Sequence, residues 1–118
     1  MRAEIRSIIS PDVLDLGTWE PEEAIFALPV RLLIGPVGSV GEESFDITVC
    51  STGWINWRVR EDEIIDGRHL LIVQNYDWEV IRQHLTRRIQ AISADDWGGL
   101  AAKLSRWAYW EFEDYSAG

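Results

Sequence analysis

An apolar run, a glycine-rich turn and an alternating segment follow one another here and leave the chain little choice of fold. Ala24 to Ile34 is almost wholly apolar, and Phe45, Ile47 and Val49 alternate with Asp46 and Thr48. Between them lies Gly35-Pro36-Val37-Gly38-Ser39-Val40-Gly41, whose glycines suit positive-φ turn positions. The pattern predicts a long hairpin whose second strand has one polar face. Pro29 removes a ladder donor, so the first strand of that hairpin is expected at a sheet edge or at a bulge. A phosphate-binding loop is the competing use of such glycines. Their spacing does not follow the dinucleotide pattern, no Lys-Ser/Thr follows, and Glu42 and Glu43 would repel a phosphate.

Flanking segments extend the pattern. Residues 2–10 place Ala3, Ile5 and Ile9 on one face and Glu4 and Arg6 on the other, which predicts a further strand ended by Pro11. Residues 11–23 have loop composition. Gly53-Trp54-Ile55-Asn56-Trp57 looks turn-like and leads into the acidic run Glu61-Asp62-Glu63 and the turn pair Asp66-Gly67. His69 to Gln74 is expected to be a short buried strand. Beyond it the period lengthens. Asp77 stands where a helix N-cap belongs, and Trp78, Ile81, Leu85, Ile89 and Ile92 form one stripe. Ser93 with Asp96 suggests a capping box for a second helix bearing Trp97, Leu100, Ala101 and Leu104. Gly98 and Gly99 weaken its first turn by roughly 1 kcal/mol each relative to Ala. The expectation is an α+β two-layer sandwich: an antiparallel four-stranded sheet with two C-terminal helices packed on one face. At 118 residues the chain is expected to form a single domain spanning 1–118.

Charge narrows the function. Twenty acids against eleven Lys and Arg give a net charge of −9 and a pI near 4.6. Phosphate backbones and anionic membrane surfaces are disfavoured partners for such a chain, whereas a basic protein is favoured. Cys50 is the lone cysteine, so no internal disulfide is expected. The N-terminus lacks a signal-peptide pattern and no run is long enough to span a membrane, so the expected location is the cytoplasm. His69 and His84 are too far apart for a helical metal pair, and Cys50 reads as a small buried residue. No two carboxylates are singled out by spacing for acid–base work. The expectation is therefore a protein that is not an enzyme, with no cofactor, no metal and no catalytic residues.

Seven Trp in so short a chain supply either core or contact area. Trp54 and Trp57 precede the acidic run, the arrangement of an aromatic anchor with an acidic rim. The C-terminal hexapeptide Trp110-Glu111-Phe112-Glu113-Asp114-Tyr115 repeats that pairing. As an extended segment it would point Trp110, Phe112 and Asp114 one way and Glu111, Glu113 and Tyr115 the other, with Trp110 and Phe112 plugging the core. The candidate contact surface is thus Glu42, Glu43, Trp54, Trp57, Glu61, Asp62, Glu63, Glu111, Glu113 and Asp114.

Several of these segments together resemble the immunity protein 8 family. They are Met1-Arg2-Ala3-Glu4-Ile5-Arg6-Ser7-Ile8, Ser10-Pro11-Asp12, Ile34-Gly35-Pro36, Gly41-Glu42-Glu43-Ser44-Phe45-Asp46, Val49-Cys50 with Trp54, Tyr76-Asp77-Trp78 and the closing hexapeptide. The resemblance implies a small cytosolic α+β protein from a bacterial polymorphic toxin locus that binds and neutralises a cognate toxin domain. It implies no particular contact residues. The charge balance fits such a partner, because toxin domains that hold substrate on basic surfaces can be occluded by an acidic inhibitor. The alternative expectation is a non-catalytic structural or regulatory interaction module that forms a homodimer.

Overall fold

A computed structural model describes residues 1–114. Its elements are β1 (Ala3–Ile9), β2 (Ala27–Pro36), β3 (Glu43–Ser51), α1 (Thr52–Asp62), β4 (Leu70–Val73), α2 (Trp78–Gln90), α3 (Trp97–Leu104) and β5 (Tyr109–Trp110). The expected hairpin is present: β2 and β3 pair antiparallel from Ala27↔Cys50 to Ile34↔Glu43. Gly38 and Gly41 take positive φ in the turn between them.

The sheet is mixed rather than antiparallel, and it has five strands rather than four. β1 and β2 are antiparallel, but β4 lies parallel to β3, and β5 runs antiparallel to β3. Since β2 occupies one edge of β3, the other edge is shared end to end: β5 covers Phe45 and Asp46, and β4 covers Thr48 to Ser51. A parallel neighbour requires a crossover, and α1 supplies it. That helix stands where the composition of residues 53–57 suggests a turn.

Pro29 lies in an interior strand, contrary to the expected edge. Its tolerance is geometric. The Thr48 amide donates to the His69 carbonyl, toward β4, so the Pro29↔Thr48 pair exchanges no backbone hydrogen bonds. The Pro29 nitrogen therefore faces the β1 side, where pairing has already ended at Ile9↔Arg31. No ladder bond is lost.

A register shift between Ile5 and Ser7 also changes the face of β1. Past this bulge Ile8, not Ile9, joins Ala3 and Ile5 against the core, and Ile9 is 48% exposed. The core side of the sheet then carries Leu28, Val30, Leu32 and Ile34 opposite Val49, Ile47 and Phe45. Against it pack Ile81, Leu85 and Ile89 of α2 and Leu100, Ala101 and Leu104 of α3. Each fully buried aliphatic side chain of this set stabilises the fold by roughly 1.5–3 kcal/mol relative to exposure. β4 is less buried than expected, since it forms the sheet margin and Ile72 is 53% exposed.

The helix caps follow local chemistry. The Asp77 carboxylate accepts from the Val80 amide, as expected. The cap of α3 is Asp96, which accepts from the Gly99 amide at 2.8 Å; Ser93 is not the cap and lies in the connection from α2. α1 is capped by Ser51, whose Oγ accepts both from the Trp54 amide and from the Phe26 amide, each at 3.1 Å. That buried hydroxyl ties the start of α1 to the segment leading into β2.

Candidate functional site

The predicted contact residues fall into two groups. The first surrounds the junction of β3 and β5. Glu43 accepts from the Trp110 indole N–H at 2.6 Å. Glu111 accepts from the Ser44 amide at 2.8 Å and donates its own amide to the Ser44 carbonyl at 3.1 Å. Glu113 forms an ion pair with Arg68, and Asp114 accepts from the Tyr109 hydroxyl at 3.4 Å. Glu42 is exposed beside them. Through these bonds Glu43, Glu111 and Glu113 act within the fold, fastening the C-terminal segment to β3 and to the α1–β4 connection.

The hexapeptide itself departs from the extended form expected of it. Only Trp110 belongs to β5, and residues 111–114 turn. Trp110 stacks on Phe45 with centroids 6.4 Å apart and planes 10° from parallel, so it reaches the core margin. Phe112 does not plug the core; it lies edge-on to Trp110 at 5.8 Å and remains 39% exposed. Tyr115 lies outside the described residues.

The second group belongs to α1 and its end. No residue of α1 is fully buried. Trp54 is half-buried in the first turn, while Trp57 is 42% exposed and carries the Arg58 guanidinium 5.9 Å from its ring centroid. Arg58 also pairs with Asp62 at 2.8 Å. Glu61 and Glu63 are exposed and make no ion pair among the described residues. Glu63 closes the helix at φ 66°, and Ile64 beyond it is 80% exposed. Apolar side chains on a helix ordinarily face a core. Here Trp57 and Val59, with Ile64 just beyond the helix, face solvent among charges of both signs: Arg58, Arg60, Glu61, Asp62 and Glu63.

A shallow groove of about 440 Å³, which the sequence does not announce, lies on the sheet face away from α2 and α3. Pro29, Arg31, Asp46, Thr48, His69 and Tyr109 are among its lining residues. Arg31 and Asp46 face one another across β2 and β3 and bind through two bonds of 2.9 and 3.0 Å. That contact holds the guanidinium above its ordinary value, so the pair is a fixed, neutralised element of the groove. Alternation in Arg31 and Asp46 carried this signal, but it needs the β2–β3 register to be seen.

Other residues limit the chemistry. Burial pushes the Cys50 thiol up, which keeps it protonated and a poor nucleophile. Among the described residues no cluster of three or more His, Cys, Asp or Glu could hold a metal ion. Among them, too, no helix is long and apolar enough to cross a membrane.

No curated protein and no solved structure is significantly similar to this chain. The family model described as Immunity protein 8 matches residues 3–115, which takes in every strand and helix from β1 to β5. On that match, the chain belongs to the immunity protein 8 family.

Proposed function

We propose that this protein neutralises a cognate bacterial toxin domain by binding it stoichiometrically and covering its working surface, without turnover. The observation that carries this reading is α1. None of its residues is fully buried; it exposes Trp57 and Val59, Ile64 follows just beyond its end, and Glu61, Asp62 and Glu63 lie in the same stretch of chain. Desolvated aromatic anchors surrounded by charge are what interface hot spots use. A net charge of −9 gives long-range attraction toward a basic partner.

In this reading the contact surface centres on Trp54, Trp57, Glu61, Asp62 and Glu63, with Glu42 and Asp114 as outlying acids. Glu43, Glu111 and Glu113 support it by holding the C-terminal segment in place. The whole chain acts as one domain in the cytoplasm, with no cofactor. Co-expression with the toxin domain encoded beside it tests the reading. Growth should be rescued by the native chain and lost with Trp57→Ala combined with alanine at Glu61, Asp62 and Glu63. Full rescue by a folded form of that variant would remove α1 from the contact surface.

A further inference from the structure

Cations in this acidic chain are distributed unevenly. Of the eleven Lys and Arg, Arg6, Arg31, Arg58, Arg68 and Arg82 form ion pairs. Six have no acidic partner among the described residues, and four of those six lie in or beside one groove: Arg88, Lys103 and Arg106 line it, and Arg2 reaches the Gln90 carbonyl next to it. They come from four separate segments: the start of β1, the last turn of α2, the last turn of α3 and the α3–β5 connection.

The helix macrodipole explains part of this, because cations in a last helical turn are favoured. It accounts for Arg87, Arg88 and Lys103. Arg106 lies past the end of α3, and its placement needs another reason.

Three of these cations line a groove of about 470 Å³ between the ends of α2 and α3, whose walls include Arg88, Ile92, Ser93, Lys103, Arg106 and Trp107. Arg88 lies over the Trp107 ring, 4.7 Å from its centroid. Stacking fixes the plane of a guanidinium while leaving the N–H groups at its edge free to donate. Lys103 donates to the Ser93 carbonyl at 2.5 Å, and Arg2 donates to the carbonyl of Gln90. Both side chains are thereby held at the groove margin by backbone rather than by carboxylates.

We propose that this groove binds a short acidic segment of a partner protein, seating its carboxylates on Arg88, Lys103 and Arg106 and an apolar side chain on Ile92 and Trp107. Carboxylates match the guanidinium fork in two-bond geometry. Charges drawn from several segments, with apolar surface between them, suit several separated carboxylates better than one compact anion. A long polyanion such as nucleic acid would also meet the surrounding acids, at a net charge of −9. The site shares no residue with α1, and it holds whether or not α1 meets a toxin.

The test is a titration of the full-length protein, followed by the NMR signal of the Trp107 indole, with a short glutamate peptide carrying one central leucine. Inorganic phosphate and the corresponding lysine peptide serve as the other probes. The glutamate peptide should shift that signal saturably, and Arg88→Gln with Arg106→Gln should weaken it about tenfold. Arg60→Gln, which removes an unpaired cation outside the cluster, should leave the affinity unchanged. An unaltered thermal midpoint of the double variant separates lost binding from lost fold. Absence of a saturable shift, or a shift indifferent to the double substitution, would overturn the proposal. Equal saturation by phosphate would overturn it too, assigning the groove to a small oxyanion.

Discussion

At Tyr76 a single hydroxyl donates to the Leu16 carbonyl at 2.6 Å while its ring meets Trp19 edge-on at 4.7 Å and Phe26 at 6.0 Å. Burial pushes this phenol up, so it remains a donor. These contacts pin the 11–23 loop, which composition marked only as a loop. Tyr76→Phe should lower unfolding free energy by about 1 kcal/mol, measured by urea denaturation. Trp19→Ala should cost more, because it also removes the ring contacts and leaves a void.

His69 makes a second residue-level case. It adopts φ 65°, lies edge-on to Tyr109 at 5.7 Å, and has its Nε2 buried without a hydrogen-bond partner. Loss of solvation lowers its pKa below 6.5, Arg68 lowers it further, and Glu113 opposes them. The unfolded chain therefore takes up a proton at a higher pH than the folded one. This contribution to stability is present above about 6.5 and is lost as pH falls through that value toward the folded pKa. His69→Asn, which tolerates the same backbone conformation, should reduce the pH dependence of unfolding over that window. An identical pH dependence in the variant would count against this assignment.

Among the elements, α3 shows where propensity misleads. Gly98 and Gly99 both read as weak points in a helix start. A Cβ at Gly98 would meet only the Asp96 carboxylate, at 3.6 Å, whereas one at Gly99 would lie 3.0 Å from the Ala94 Cβ and 3.3 Å from that carboxylate. Gly98→Ala should thus stabilise by about 0.5–1 kcal/mol. Gly99→Ala should stabilise less or destabilise, and thermal midpoints of the two variants decide between them. Replacing Asp96 by Ala should cost about 1 kcal/mol through loss of the cap.

The same scale explains what could be read in advance. The β2–β3 hairpin, α2 and α3 were legible because each hides one face, and burial imprints its period on the sequence. α1 was not, because none of its residues is fully buried and only a short face around Trp54 and Ile55 is half-covered, so no clear stripe betrays it; Ser51 three residues before Trp54 was its faint signal. β4 was placed correctly as a strand but not as a parallel one, since direction follows from the unrecognised crossover. The bulge at Arg6 moved Ile8 inward by a single-residue offset that alternation cannot show.

For the whole molecule, Arg88, Lys103 and Arg106 gather where α2 and α3 end, while the candidate contact acids lie at the end of α1 and at the β3–β5 junction. The candidate contact residues were legible as composition, an acidic and aromatic set, but not as geometry. Three of those acids turned out to clip the C-terminal segment in place. Glu111→Gln should therefore loosen that segment, read as faster amide exchange at Ser44 and Glu111, without slowing partner association.

In the proposed function α1 and its acidic end meet a basic toxin domain, and the association rate constant with that domain, measured across ionic strength, decides whether they do. Substituting alanine at Glu61, Asp62 and Glu63 should slow association and flatten its salt dependence, and Trp57→Ala should speed dissociation. Association and dissociation rates identical to those of the native protein in all these variants would contradict the account.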